Sequence, residues 1–430
     1  MPRHVRSLLP VVVVLLVSLV RAQSQSTVPA RAFTGAHVIG IGGAPDIADA
    51  VIVVNDGKIT SIGSRGSVRL ADGTQTTDLS GEFVVPGFIS AHAHISDVNG
   101  LQPRAYTRAN TLRQLGVFAR YGITSVWSLG GEDKPAYDAR AAQSSPTLDR
   151  ARIFLADRVI SGATPADALK ILAEVAARKP DVIKIRVDDN LGTIQKMKPE
   201  VYRAVIADAH KRGLRVAAHV FYLDDAKDLL KAGADAIVHS VRDKDVDDEF
   251  IGLMKSRQSG YVPTLTREIS TFVYESTPPF FSDPFFLKEA DPAVVASLKA
   301  PSKQAEYKAS ASAQRYKVAL EVAKRNLKRI VDAGIVVGMG TDTGPFPERF
   351  EGYFEHLEME MMVQAGMTPA QVLKAATSDA ARVMGVDSIG TLKAGSWADM
   401  VVLDQDPRTD ITSTRRIRSV WTSGNRVPRQ

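Results

Sequence analysis

Cysteine is absent from the 430 residues. Disulfides and thiolate ligands are therefore excluded, and any bound metal has only nitrogen and oxygen donors to choose from. Histidine is scarce, with eight in the whole chain. No Lys/Arg run and no interleaving of basic with aromatic residues stands out, which argues against nucleic acid as a partner. The longest apolar run near the start, Leu8 to Val20, is broken by Pro10 and falls short of the ~20 residues a membrane span needs. Arg3 and Arg6 precede it, and Val20-Arg21-Ala22 offers a small-residue cleavage site before Gln23. This pattern predicts a signal peptide over 1–22, export to the periplasm or beyond the cell, and no stable membrane insertion after cleavage.

What is present is ordinary for a soluble globular protein: 44% apolar and 24% charged residues. The formal charge of +6 falls to +3 without Arg3, Arg6 and Arg21. The length that remains suits one large barrel with a small satellite domain. From Ala36 to Thr77 short alternating runs are joined by tight turns, as in Val51–Val54, Asn55-Asp56-Gly57 and Lys58–Ile62. Asp-Gly supplies the positive φ of a hairpin turn. Ala398–Leu403 and Ile417–Thr422 have the same texture at the other end. Neither end has enough strand to stand alone, so segments 28–83 and 387–430 are expected to form one composite β-sandwich.

Between them, strand-like and helix-like segments alternate. The strand candidates are Val84–Ala91, Thr124–Ser128, Arg152–Ala156, Val182–Val187, Arg215–Val220, Ala236–His239, Tyr261–Leu265 and Ile335–Gly340. Eight such units predict an α/β fold, a (β/α)8 TIM barrel over 84–386 inserted into the sandwich, with its active site at the carboxyl ends of the strands. Residues 266–312 break the rhythm and are rich in Pro and Phe. A lid offering apolar surface to a substrate is expected there.

Six residues of metal-ligand type sit at or near the ends of five of these runs: His92 and His94, Lys184, His219, His239 and Asp342. Parallel strands closed into a barrel would gather them at one rim, which points to a metal-dependent hydrolase. His92 and His94, two apart on a strand, face the same way and can chelate one ion. Alternation turns Ile183 and Ile185 toward the helices, and Val182, Lys184 and Arg186 toward the lumen. A buried ammonium is costly and its pKa falls, and it cannot ligate a cation. Lys184 is then either a structural partner of Asp342 or Asp188, or a modified ligand. Gly338 and Gly340 leave room for backbone close to a ligand. His37 and His210 read as structural; His356, soon after the eighth strand, is a candidate for substrate contact.

The run Pro86-Gly87-Phe88-Ile89-Ser90-Ala91-His92-Ala93-His94 resembles the first-strand signature P-G-x-I-x-x-H-x-H of the amidohydrolase superfamily. The resemblance, to its prolidase-like and imidazolonepropionase-like branch, continues through nearly the whole chain, including Gly390–Leu403. It implies that Lys184 is N-carboxylated by CO2 and bridges two divalent ions. Zinc suits the donor set, though manganese, cobalt or iron would also be accommodated. It further implies that His92, His94, His219 and His239 complete the ligands. Asp342, in the Gly340-Thr341-Asp342 match, would ligate the first ion and act as catalytic base and acid toward a hydroxide shared by both.

The expected substrate is a small molecule with an amide or peptide-like C–N bond, such as an N-acyl amino acid or dipeptide. Arg186 and Arg242 are candidates to hold a carboxylate, and Tyr261 and Thr264 to line the pocket. The short Ala156–Pro165 connection lacks the Gly/His-rich loop of many prolidase-like members, which weighs against a dipeptidase. Cleavage of a lactone, cyclic amide or phosphoester is the alternative on the same metals. A non-catalytic exported binding protein is the other class, and a homo-oligomer is compatible with either.

Overall fold

The structure, a computed structural model, describes residues 29–102 and 106–429. The expected signal peptide lies outside the described residues.

The two ends of the chain meet in one mixed eight-stranded sheet. Its amino-terminal strands are β1 (Arg31–Val38), β2 (Ile47–Asn55), β3 (Lys58–Ser64), β4 (Gln75–Asp78) and β5 (Phe83–Pro86). The β2–β3 turn holds Asp56 at φ 50° and Gly57 at φ 77°, the double positive φ expected of Asp-Gly. Later in the chain, β13 (Met400–Leu403), β14 (Ile417–Thr422) and β15 (Asn425–Arg426) complete the sheet in the order β15-β14-β13-β5-β1-β2-β3, with β4 beside β1. β13 runs antiparallel to β5, with Met400 opposite Pro86 and Leu403 opposite Phe83. Phe33, Ile52, Val84, Met400, Val402 and Trp421 share one core, and the Phe33 and Trp421 rings meet edge to face at 4.7 Å.

Seven parallel strands lie between these ends. β6 (Phe88–Ala93), β7 (Ile123–Ser128) and β8 (Arg152–Leu155) form one sheet; β9 (Ile183–Val187), β10 (Val216–Val220), β11 (Ala236–Val238) and β12 (Gly260–Val262) form another. Burial on both faces, with helices between successive strands, accounts for their near-continuous apolar composition. Pro165 at the first turn of the helix Pro165–Ala177, capped by Thr164, is preorganised for a helix start.

Single parallel bridges join these sheets, pairing Ile160 with Ile185, Tyr261 with Val337, and Ala93 with Thr343. The expected eighth strand, Ile335–Gly340, is therefore one bridge rather than a ladder. Gly338 and Gly340 press against Ala91 and His92, where a Cβ on Gly340 would stand 2.6 Å from the His92 nitrogen. The seventh strand stops at Val262, earlier than expected, because Pro263 has no N–H to give and Thr264 turns to φ 52°.

The region 266–312 is built differently from the expected lid. It winds through short helical turns, then the helices Pro292–Lys299 and Pro301–Ala309. Phe281, Phe285 and Phe286 are buried and pack against Tyr121, Phe350 and Tyr353. Their rings belong to the core rather than to a surface offered to substrate.

Candidate metal centre

The ends of β6, β10 and β11, the second residue of β9 and the segment after Gly340 bring the six candidate residues together. His92, His94 and Asp342 each offer a donor atom within 4.8 Å of the other two. Asp342 Oδ1 lies 2.9 Å from His94 Nε2 and 3.3 Å from His92 Nε2. Lys184 Nζ stands 3.4 Å from His92 Nε2. The His92 and His239 ring centroids are 4.4 Å apart, and those of His239 and His219 are 4.0 Å apart.

Backbone geometry at these strand ends is unusual. His239, Thr264 and Asp342 hold φ of 67°, 52° and 63°, values that non-glycine residues adopt at a cost of order 1–3 kcal/mol each.

The donor chemistry fits a cation. His94 Nδ1 faces only the Gly130 carbonyl, at 2.8 Å, so it must donate a proton there. With Nδ1 turned to that carbonyl, Nε2 is the nitrogen that faces the Asp342 carboxylate. An imidazole nitrogen and a carboxylate oxygen gathered this closely are donor types that suit a metal ion. His219 Nε2 lies 2.8 Å from Asp188 Oδ2 and His239 Nδ1 2.8 Å from Thr264 Oγ1, leaving the other nitrogen of each ring free to ligate. Burial pushes the His92 and His239 pKa values well down and that of His219 to about 3, so these imidazoles are neutral, as metal ligands must be.

Lys184 is 3% exposed, and burial, against the pull of Asp342, brings its amine down to about 7. Burial alone would raise the Asp342 carboxyl. The guanidinium of Arg349, which bonds Oδ2, and the imidazoles beside it more than offset this and hold it well below the usual carboxylate range.

The substrate-contact expectations fare differently. Arg186 stays partly exposed beside Asp188, at 3.7 Å, and lines a cavity of about 550 Å³ with Ile160, Asp188, Ile194 and Lys196. Arg242 is not at the rim: it is buried, 3.0 Å from Glu268, and donates to the Val220 and Ser240 carbonyls. Tyr261 points away from the centre, its hydroxyl accepting from the Val241 N–H at 3.0 Å and its ring against Phe250. Thr264 meets His239 rather than a pocket. His356 is buried between the Tyr121 carbonyl and the Thr414 hydroxyl, far into the helix layer, so it is no substrate contact.

Three residues at the centre escaped sequence reasoning. Glu132 is buried four positions after β7, takes bonds from Ser128 and the Gly130 N–H, and leaves Oε2 without a partner. Burial pushes its carboxyl up to about 7. Its nearness to a strand end is a signal that could have found it. Arg349 sits in a loop and Arg267 in the short helix Leu265–Ile269, and neither carried such a signal.

Gly340→Ala is expected to lower stability by about 1–3 kcal/mol, the usual range for overpacking. Because the new methyl meets His92, zinc affinity should fall as well. Denaturant titration and zinc titration read the two effects; unchanged zinc affinity would mean that the contact relaxes without moving His92.

The family model for the amidohydrolase family matches residues 83–427. An uncharacterized protein of Mycobacterium tuberculosis is 26% identical over 382 residues, spanning 86% of this chain and 90% of that protein. The ochratoxinase of Aspergillus niger is 28% identical over 243 residues, 55% of this chain and 42% of its own. Its crystal structure superposes with a TM-score of 0.69 at 19% identity, covering 93% of this chain and 95% of that one. A Xaa-Pro dipeptidase structure gives 0.70 at 21% identity over 92% and 99%. These superpositions extend a TIM-barrel-like α/β fold across the described chain. The chain belongs to the amidohydrolase family and is a hydrolase acting on carbon–nitrogen bonds.

Proposed function

We propose that this chain is an exported, binuclear-metal amidohydrolase that cleaves an amide bond in a small N-acyl amino acid or a related compound. The observation that carries the reading is the cluster of His92, His94 and Asp342, whose donor atoms lie within 4.8 Å of one another. His92, His94 and Asp342 would hold one ion, His219 and His239 the other, with N-carboxylated Lys184 between them. When bound, the ions, zinc by preference, would supply Lewis acidity and a water whose pKa is lowered toward neutrality. Asp342 takes the proton of the attacking water on a carboxylate oxygen and returns it to the leaving amine. Arg349 keeps that carboxylate anionic until then. Arg186, at the cavity between the ends of β8 and β9, faces the part of the substrate remote from the reacting carbonyl.

Export rests on the amino-terminal pattern, and the domain division on the pairings of the strands. The bridges Ile160–Ile185, Tyr261–Val337 and Ala93–Thr343 support a closed (β/α)8 barrel over 84–386. The common core of the end segments supports a composite sandwich from 28–83 and 387–430.

The reading is tested by metal analysis and a substrate panel. Zinc-loaded protein should bind close to two equivalents and hydrolyse N-acyl amino acids ahead of lactones and aryl phosphates. Near-zero metal stoichiometry would sink it. The carbamate has its own test. Lys184 is charged below about 7 and neutral above it, and only the neutral amine captures CO2. Zinc uptake by chelator-stripped protein should therefore require bicarbonate and rise as pH increases through 7. Equal uptake in CO2-free buffer across that range would rule the carbamate out.

A further inference from the structure

Beside the centre lie two more arginines, and their charges do not balance. Arg186 has Asp188 as its carboxylate and Arg349 has Asp342. Arg242 and Arg267 share a single one, Glu268. Arg242 Nε is 3.0 Å from Glu268 Oε1, and Arg267 Nη1 is 3.1 Å from both Glu268 oxygens. All three side chains are buried. Two guanidiniums against one carboxylate leave one positive charge without a counter-ion, in a place where uncompensated charge is costly.

The hydrogen bonding is incomplete in the same spot. Arg267 Nε and Arg242 Nη2 are buried without an acceptor. Arg267 Nε lies 4.0 Å from Asp342 Oδ2, beyond a hydrogen bond but at the edge of the candidate centre. Aromatic rings hold both guanidiniums in place. Arg267 stacks on Tyr316 at 4.7 Å and Arg242 on Phe221 at 4.6 Å, and the two rings pack edge to face. A guanidinium fixed in this way, with an unused donor facing a reaction centre, is built to receive an anion.

We infer that Arg267, backed by Arg242, anchors a carboxylate of the substrate next to the scissile amide. The inference rests on the hydrolase reading above and deepens it by naming the substrate class. With Asp342 4.0 Å away, the carboxylate belongs close to the bond being cleaved, as the α-carboxylate of an N-acyl amino acid does. The Phe221 and Tyr316 rings beside it favour an apolar or aromatic side chain.

The test compares N-acetyl-L-phenylalanine with its neutral N-methylamide on zinc-loaded full-length protein. Affinity is read by calorimetry, turnover separately, and each variant's zinc content is matched to wild type. Wild type should prefer the carboxylate by about tenfold or more, the scale of one charged hydrogen bond. Arg267→Gln should abolish that preference and Arg267→Lys should keep part of it; the lysine variant also carries the test if the glutamine variant does not fold. A preference that survives in Arg267→Gln would overturn the inference and move the anchor elsewhere, with Arg186 next. Equal loss for both ligands would also overturn it, because that is the mark of a residue that only positions Asp342. Protein that holds the carboxylate through Arg267 yet cleaves neither compound would leave the anchor standing and refute the hydrolase reading.

Discussion

Asp342→Asn should reduce turnover at least ~100-fold, the low end of what a positioned acid or base contributes, while most bound zinc is retained. Two properties of the site lead to this. The carboxamide cannot take a proton from water and return it to an amine. Its NH2 end would also face either the Arg349 guanidinium or the His92–His94 pair, so the group loses its balanced setting between cation and imidazoles. On the proposed reading, the four histidines and Lys184 would remain to hold metal. Zinc content by atomic emission, measured beside single-turnover rates, separates the two effects. Undiminished rates would remove Asp342 from the chemistry, and joint loss of metal and activity would reduce it to a ligand.

Arg152→Met should destabilise the protein by about 3–5 kcal/mol, because it strands a buried carboxylate. Arg152 is 1% exposed at the start of β8. Its Nε is 2.7 Å from Asp399 Oδ2, its Nη2 2.7 Å from the Ser423 hydroxyl, and its plane lies 3.9 Å from the Trp397 ring centroid. Asp399 in turn accepts from the Ser423 N–H. One guanidinium thus joins a parallel strand to the returning carboxyl-terminal segment. Denaturant unfolding should register a lower midpoint, and the double variant Arg152→Met/Asp399→Leu should regain much of the loss. A single variant as stable as wild type would mean that the pair costs as much to desolvate as it returns.

The strands and the grouping of the candidate ligands were legible because both follow from short-range rules. Alternating texture located β2, β3 and β14, and continuous apolar runs located β6, β7 and β9. In a parallel arrangement every strand end faces the same way, so His92, His94, Lys184, His219, His239 and Asp342 could be grouped without any contact being known. What stayed hidden depends on how distant segments pass one another. Tyr261 sits on a strand whose side chains alternate between the centre and the helices, and its ring went to the helices. His356 lies on a helix whose imidazole face met the Tyr121 carbonyl. The phenylalanines of 266–312 suggested a surface, yet their partners Tyr121, Phe350 and Tyr353 come from elements far away in sequence. Arg267 approaches Asp342 from a five-residue helix and Arg349 from a loop, and no periodicity encodes the course of either.

The placement of β13 also bears on how the polypeptide is made. β5 ends at Pro86 and its neighbour does not begin until Met400. During synthesis some 300 residues emerge while the open side of β5 still lacks its mate. An unpaired edge of that kind templates association between nascent chains. The last 30 residues therefore act as a closing seal, and truncation before β13 should yield aggregated product even though every candidate metal ligand has already been translated.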